Sequence, residues 1–105
     1  MTKAKIKEIV ENLIDTFLRA GEISINLRKD GLTKEIKSDN TPVSNGDLEV
    51  NKIITKKLKE LTPEILIVSE ESTENKFKEN LKDFWLVDPI DGTYDYINNL
   101  DEFTI

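Results

Sequence analysis

From Lys3 to about Leu27, apolar side chains recur at Ile6, Ile9, Val10, Leu13, Ile14 and Phe17. Steps of three and one draw a single apolar face on a helix, and Thr2 is placed to cap its start. Lys29 to Asn40 is polar, with Asp30-Gly31 as a turn signal and a short hairpin expected around Leu32 to Ile36. Thr41-Pro42-Val43 is expected to be extended, because Pro biases its predecessor away from helix. Ser44 begins a second helix, whose predicted buried stripe is Val50, Ile53, Ile54, Leu58 and Leu61. Thr62-Pro63 stops it.

Two short, wholly apolar runs follow, Ile65–Val68 and Phe84–Val87, and both read as buried strands. The first ends abruptly in Ser69-Glu70-Glu71-Ser72 and the second in Asp88. Between them, Thr73 to Asp83 is charged and reads as a loop with a helical turn, its Lys76 to Lys82 part a solvated face. Thr93 to Asn98 has the length of a short helix, and Glu102 to Ile105 looks like the start of another strand. The predicted class is α+β: long helix, short hairpin, second helix, buried strands.

Composition narrows the chemistry. The 105 residues suffice for one small domain with a modest core. Apolar residues at 37% and charged residues at 34% fit a globular chain. A net charge of −6 argues against a surface that coats a nucleic-acid polymer, since phosphate backbones need clustered Lys and Arg. There is no Cys and no His, which removes thiolate zinc sites, Cys nucleophiles and the commonest general base. Chemistry must rest on carboxylates, hydroxyls, Lys and backbone groups, a donor set that favours hard cations such as Mg²⁺. No secretory leader and no apolar run of ~18 residues is read, so a cytoplasmic location is the expectation.

The acids gather where strands end, the edge at which open sheets usually bind ligands. Glu70 or Glu71 from one strand is placed to meet Asp88 and Asp91 from the other. Clustered carboxylates repel, and a divalent cation relieves that cost. In Asp88-Pro89-Ile90-Asp91-Gly92-Thr93, Pro89 fixes one torsion between two acids, so that they can converge. Gly92 allows close backbone approach, and the N–H groups of Gly92 and Thr93 would form an anion site if Thr93 opens a helix. Each feature has a plainer reading when taken alone. Ser44-x-x-Asp47 is a capping box, the Glu pair an acidic turn, and Asp88-Pro89 and Asp91-Gly92 turn dipeptides.

Together these residues carry a resemblance. Asp88 to Thr93 resembles the signature of the inositol-monophosphatase superfamily of metal-dependent, lithium-sensitive phosphatases. Lys37-Ser38-Asp39-Asn40-Thr41-Pro42-Val43-Ser44-Asn45-Gly46-Asp47 is similar to that superfamily's Asp-containing block, and Ser69-Glu70-Glu71-Ser72 to its paired-Glu block. All three stand in order and together reverse the plainer readings. Glu102-Phe103-Thr104, Leu61-Thr62-Pro63-Glu64, and Ser69 where a Gly is the alternative are similar to the CysQ-type 3′(2′),5′-bisphosphate nucleotidase branch. Tyr94 departs from that branch, which usually has Lys there.

The resemblance implies the N-terminal part of a layered α/β/α/β sugar-phosphatase-like fold. It implies Mg²⁺ held by Glu70, Asp88, the Ile90 carbonyl and Asp91, with Asp88 bridging two ions. Glu70 and Thr93 would orient the attacking water, Asp47 would hold the Thr93 hydroxyl, and Glu71 would support. Gly92, Thr93 and Asp91 would bind the phosphate. The implied reaction is hydrolysis of the 3′-phosphate of adenosine 3′,5′-bisphosphate by in-line attack of a metal-activated water. The alternatives are an inositol or other sugar monophosphatase, or a non-catalytic metal-binding or interaction fragment. Relatives continue into a C-terminal region with a further metal-binding Asp, and their full-length form would allow a homodimer. The expectation is therefore a truncated chain, inactive and poorly stable by itself.

Overall fold

The computed structural model describes residues 2–71 and 83–105. The expected Thr73 to Asp83 loop and its Lys76 to Lys82 face lie outside the described residues, apart from Asp83.

Helix α1 spans Lys3–Asp30, three residues beyond the expected end. The Thr2 hydroxyl caps it by accepting from the Lys5 N–H at 3.2 Å, and Arg28 and Lys29 sit in the last turn, where the helix dipole favours cations. The Asp30-Gly31 turn signal marks the end of α1. Asp30 ends α1, and Gly31 follows as its C-cap at φ 96°, a backbone region that suits glycine. The hairpin lies further along: β1 (Lys34–Ile36) pairs antiparallel with β2 (Pro42–Ser44), Glu35 opposite Val43. Its turn is closed by the Lys37 N–H donating to the Thr41 carbonyl at 2.8 Å.

Helix α2 spans Asn45–Leu61 and packs along α1. The seam between them is narrower than the apolar stripes. Ile9, Leu13 and Ala20 of α1 are buried with Val50, Ile54 and Leu58 of α2, whereas Ile6, Val10, Ile14 and Phe17 stay exposed. One facing helix covers one narrow row of side chains, so four of the six residues of the expected α1 stripe stay exposed among the described residues.

Strands β3 (Leu66–Ser69) and β4 (Phe84–Val87) pair in parallel, with Ser69 opposite Val87. They form a second two-stranded sheet, separate from the hairpin. Trp85 fixes β4 to the end of α2, its indole N–H donating to the Thr62 hydroxyl at 2.9 Å. The expectation that β4 is buried on both faces fails: Val87 is covered, but Phe84 is 45% and Leu86 77% exposed.

Helix α3 spans Thr93–Ile97. Tyr96 anchors it at 0% exposure, its hydroxyl donating to the Ser24 carbonyl at 2.6 Å and its ring lying against Phe103. Burial, then the negative charge of Asp47, pushes the Tyr96 phenol up to about 12, so it stays a donor. The expected terminal strand reduces to one antiparallel bridge, Asp91 with Thr104. Among the described residues no helix is long and apolar enough to cross a membrane.

Candidate functional site

Strand register builds the site. Ser69 and Val87 are partners across the parallel pair, so the residues that follow them, Glu70 and Asp88, leave the sheet side by side. The Glu70 N–H donates to the Val87 carbonyl at 3.0 Å and holds that juxtaposition. Partial burial, a hydrogen bond shared with Glu70, and the charges of Glu70, Asp91 and Glu71 push the Asp88 carboxyl up to about 7. Asp88 itself lies at the solvent edge, so the neighbouring carboxylates are the more telling causes. Burial also raises Glu71, whose side chain is only 6% exposed, against the opposing pull of Lys37.

The loop after Asp88 turns back under the site. Pro89 and Ile90 are buried, and Asp91 bonds both ways with Thr104, N–H to carbonyl at 2.9 Å and carbonyl from N–H at 3.1 Å. Gly92 must be glycine for two reasons. Its φ is +85°, and a Cβ there would meet the Glu102 carbonyl oxygen at 2.6 Å.

Asp47 makes two sets of hydrogen bonds. Its Oδ2 accepts from the Ser44 N–H at 2.8 Å and the Ser44 hydroxyl at 2.6 Å, which completes the capping box of α2. Its Oδ1 accepts from the Thr93 hydroxyl at 2.8 Å, and the Ile90 carbonyl lies 3.0 Å from the same hydroxyl. Asp47 is fully buried.

Sequence reading assigned no role to Lys37 or Asn51. The Lys37 ammonium lies 3.5 Å from Glu71 and 4.0 Å from Glu70, a stand-in cation beside the pair. Asn51 accepts a hydrogen bond from the Ser69 hydroxyl within the core. Neither has a local signal: Lys37 lies in a polar turn, and Asn51 sits among helix polar residues with its partner 18 positions away.

The donor chemistry fits a divalent cation. Glu70, Glu71, Asp88 and Asp91 are all oxygen donors, the charges of the other three help to raise the Asp88 carboxyl, and the Lys37 ammonium lies within 4.0 Å of Glu70 and Glu71. Among the described residues, though, no three such side chains stand in an arrangement that could hold a metal ion.

Parallel strands that deliver acids at one edge, together with two packed helices, define a class. The chain belongs to the Inositol monophosphatase family, whose sequence pattern matches residues 5–105. Within that class it is similar to the 3′(2′),5′-bisphosphate nucleotidase CysQ of Haemophilus influenzae. Identity there is 45% over 73 residues, which cover 68% of this chain and 27% of that protein. The namesake from Aggregatibacter actinomycetemcomitans is 36% identical over 99 residues, covering 92% and 37% respectively. Among solved structures, the extragenic suppressor protein suhB of Bartonella henselae superposes with a TM-score of 0.74 at 27% identity, covering 91% of this chain and 37% of that one. An IMPase/NADP phosphatase solved with NADP and Ca²⁺ shares the fold at a TM-score of 0.72 and 20% identity, covering 98% and 38%. The chain thus spans well under half the length of each of these relatives.

Proposed function

We propose that this chain is the N-terminal, metal-holding part of a Mg²⁺-dependent phosphomonoesterase whose substrate is adenosine 3′,5′-bisphosphate. The observation that carries the reading is the Glu70–Asp88 juxtaposition, with Asp91 and Glu71 close enough to raise the Asp88 pKa. Glu70, Asp88, Asp91 and the Ile90 carbonyl are the groups that would hold the metal. When bound, Mg²⁺ would polarise phosphoryl oxygens and acidify the attacking water.

The chain's own residues supply the orientation. Thr93 has one hydroxyl proton, directed at Asp47 Oδ1 and the Ile90 carbonyl. Its lone pairs are thereby left to accept a hydrogen bond from a water and aim it. Glu70 would accept the other. Gly92 and Thr93 N–H groups, with Asp91 beside them, face the phosphate in this reading. The bisphosphate substrate is supported by the 36–45% identity to the two CysQ relatives and by Ser69 and Glu102-Phe103-Thr104.

Titrating Mg²⁺ while following the fluorescence of Trp85, the single Trp, tests the metal. A saturable response is expected, and a response unchanged in Asp88→Asn plus Asp91→Asn would sink the assignment. Phosphate release by the complete phosphatase, compared as kcat/KM, tests the substrate. A preference for inositol 1-phosphate over adenosine 3′,5′-bisphosphate would move the protein to the other branch.

A further inference from the structure

We infer that the buried Asn51–Ser69 pair is a positioning device through which α2 sets the Glu70–Glu71 turn for cation binding. The inference rests on the metal-binding reading above and adds two residues to it.

Ser69 is the last residue of β3, 1% exposed, and Asn51 lies on α2 at 9% exposed. The Ser69 hydroxyl donates to Asn51 Oδ1, which fixes the hydroxyl rotor. Its lone pairs are then directed at the Glu71 N–H, 3.3 Å away. The preceding N–H, that of Glu70, is pinned separately to the Val87 carbonyl at 3.0 Å. Two successive peptide groups are therefore held by two different elements, Glu70 by β4 and Glu71 by α2 through Ser69. These two anchors fix the backbone from which both carboxylates extend.

Asn51 lies one helical turn beyond Asp47, so the two share a face of α2. Both are buried, and both reach out of the helix: Asp47 to Thr93 on α3, Asn51 to Ser69 on β3. The helix thereby ties together the two halves of the proposed site, the water-orienting hydroxyl and the Glu pair. A buried polar pair among Val50, Ile54 and Leu58 gains little net stability over an apolar pair of equal shape. What it supplies is direction, which an apolar contact lacks. An Ala or Gly at position 69 would leave the Glu71 N–H without this acceptor.

Groups that orient metal ligands typically change metal affinity about 10- to 100-fold when removed. The test compares the parent chain with Ser69→Ala, Asn51→Leu and Ser69→Thr. One readout is the Glu71 amide, by its NMR shift and hydrogen exchange without metal. The other is the Mg²⁺ dissociation constant from Trp85 fluorescence. Ser69→Ala and Asn51→Leu are each expected to expose the Glu71 amide and weaken Mg²⁺ binding about 10-fold, and Ser69→Thr to keep both near the parent. Should Ser69→Ala and Asn51→Leu lower the melting temperature yet bind Mg²⁺ as the parent does, the pair is only structural and the inference is overturned. A Glu71 amide unchanged in both variants overturns it as well. A parent chain with no Mg²⁺ response overturns the metal reading first, and the inference with it, so the two failures are told apart by the parent alone.

Discussion

Asp47 Oδ1 accepts a 2.8 Å hydrogen bond from the Thr93 hydroxyl, across 46 positions of sequence. The same carboxylate caps α2 through Oδ2. Both of its oxygens are therefore acceptors in use, and an amide cannot reproduce that. In Asp47→Asn one oxygen becomes an NH₂ donor facing either the Ser44 N–H or the Thr93 hydroxyl. The hydroxyl is the partner able to rotate, so its lone pairs turn inward. We expect Asp47→Asn to cost about 1 kcal/mol of stability. In the complete phosphatase it should lower kcat on the order of 10²-fold with KM nearly unchanged, because an orienting contact is lost. Urea unfolding and steady-state kinetics check the two halves of this expectation.

Asp88 makes stability depend on pH. Its folded-state pKa is raised from 3.8 to about 7. The folded chain thus holds more protons than the unfolded chain between those values, and stability falls as pH rises through that window. Solvent screening at the exposed edge reduces the effect to about 1 kcal/mol. The urea midpoint should drop from pH 5 to pH 8, and drop less in Asp88→Asn. An identical drop in both would assign the effect elsewhere.

Gly46 and Tyr96 are in close contact. A Cβ at Gly46 would meet the Tyr96 hydroxyl oxygen at 2.3 Å, and Tyr96 is fully enclosed and tied to Ser24. Gly46→Ala should therefore destabilise by about 1–3 kcal/mol. Added to Tyr96→Leu, the same change should cost less than it does in the parent. Thermal melts of the four proteins form the double-mutant cycle that measures this coupling.

The α1 seam predicts a contrast between neighbours. Ile9 is 1% exposed and Val10 54%. Ile9→Ala should cost about 2–4 kcal/mol and Val10→Ala no more than about 0.5 kcal/mol. Equal losses by chemical unfolding would show that the outer stripe is also packed.

Much of this was legible in spacing along the chain. The helix periods from Ile6 and Val50, the Thr2 cap and the Ser44–Asp47 capping box rest on interactions within a few residues, where local geometry is fixed by backbone period, and the strand Phe84–Val87 was legible as a short apolar run. The three acidic blocks were readable for the same reason, each being a short run. Tertiary structure decided the rest. Only packing could show that α2 covers Ile9 and Leu13 but leaves Ile6 and Val10 open, since both rows are equally apolar in sequence. Only the parallel register could seat Glu70 beside Asp88, because a slip of one residue would separate them without altering any local preference. Lys37 against Glu71, Asn51 against Ser69 and Thr93 against Asp47 are likewise contacts between elements distant in the chain. A sequence pattern records which faces are apolar and where turns fall. Which polar atoms then meet depends on how helices and strands dock, and a shift of a single ångström in that docking makes or breaks a hydrogen bond.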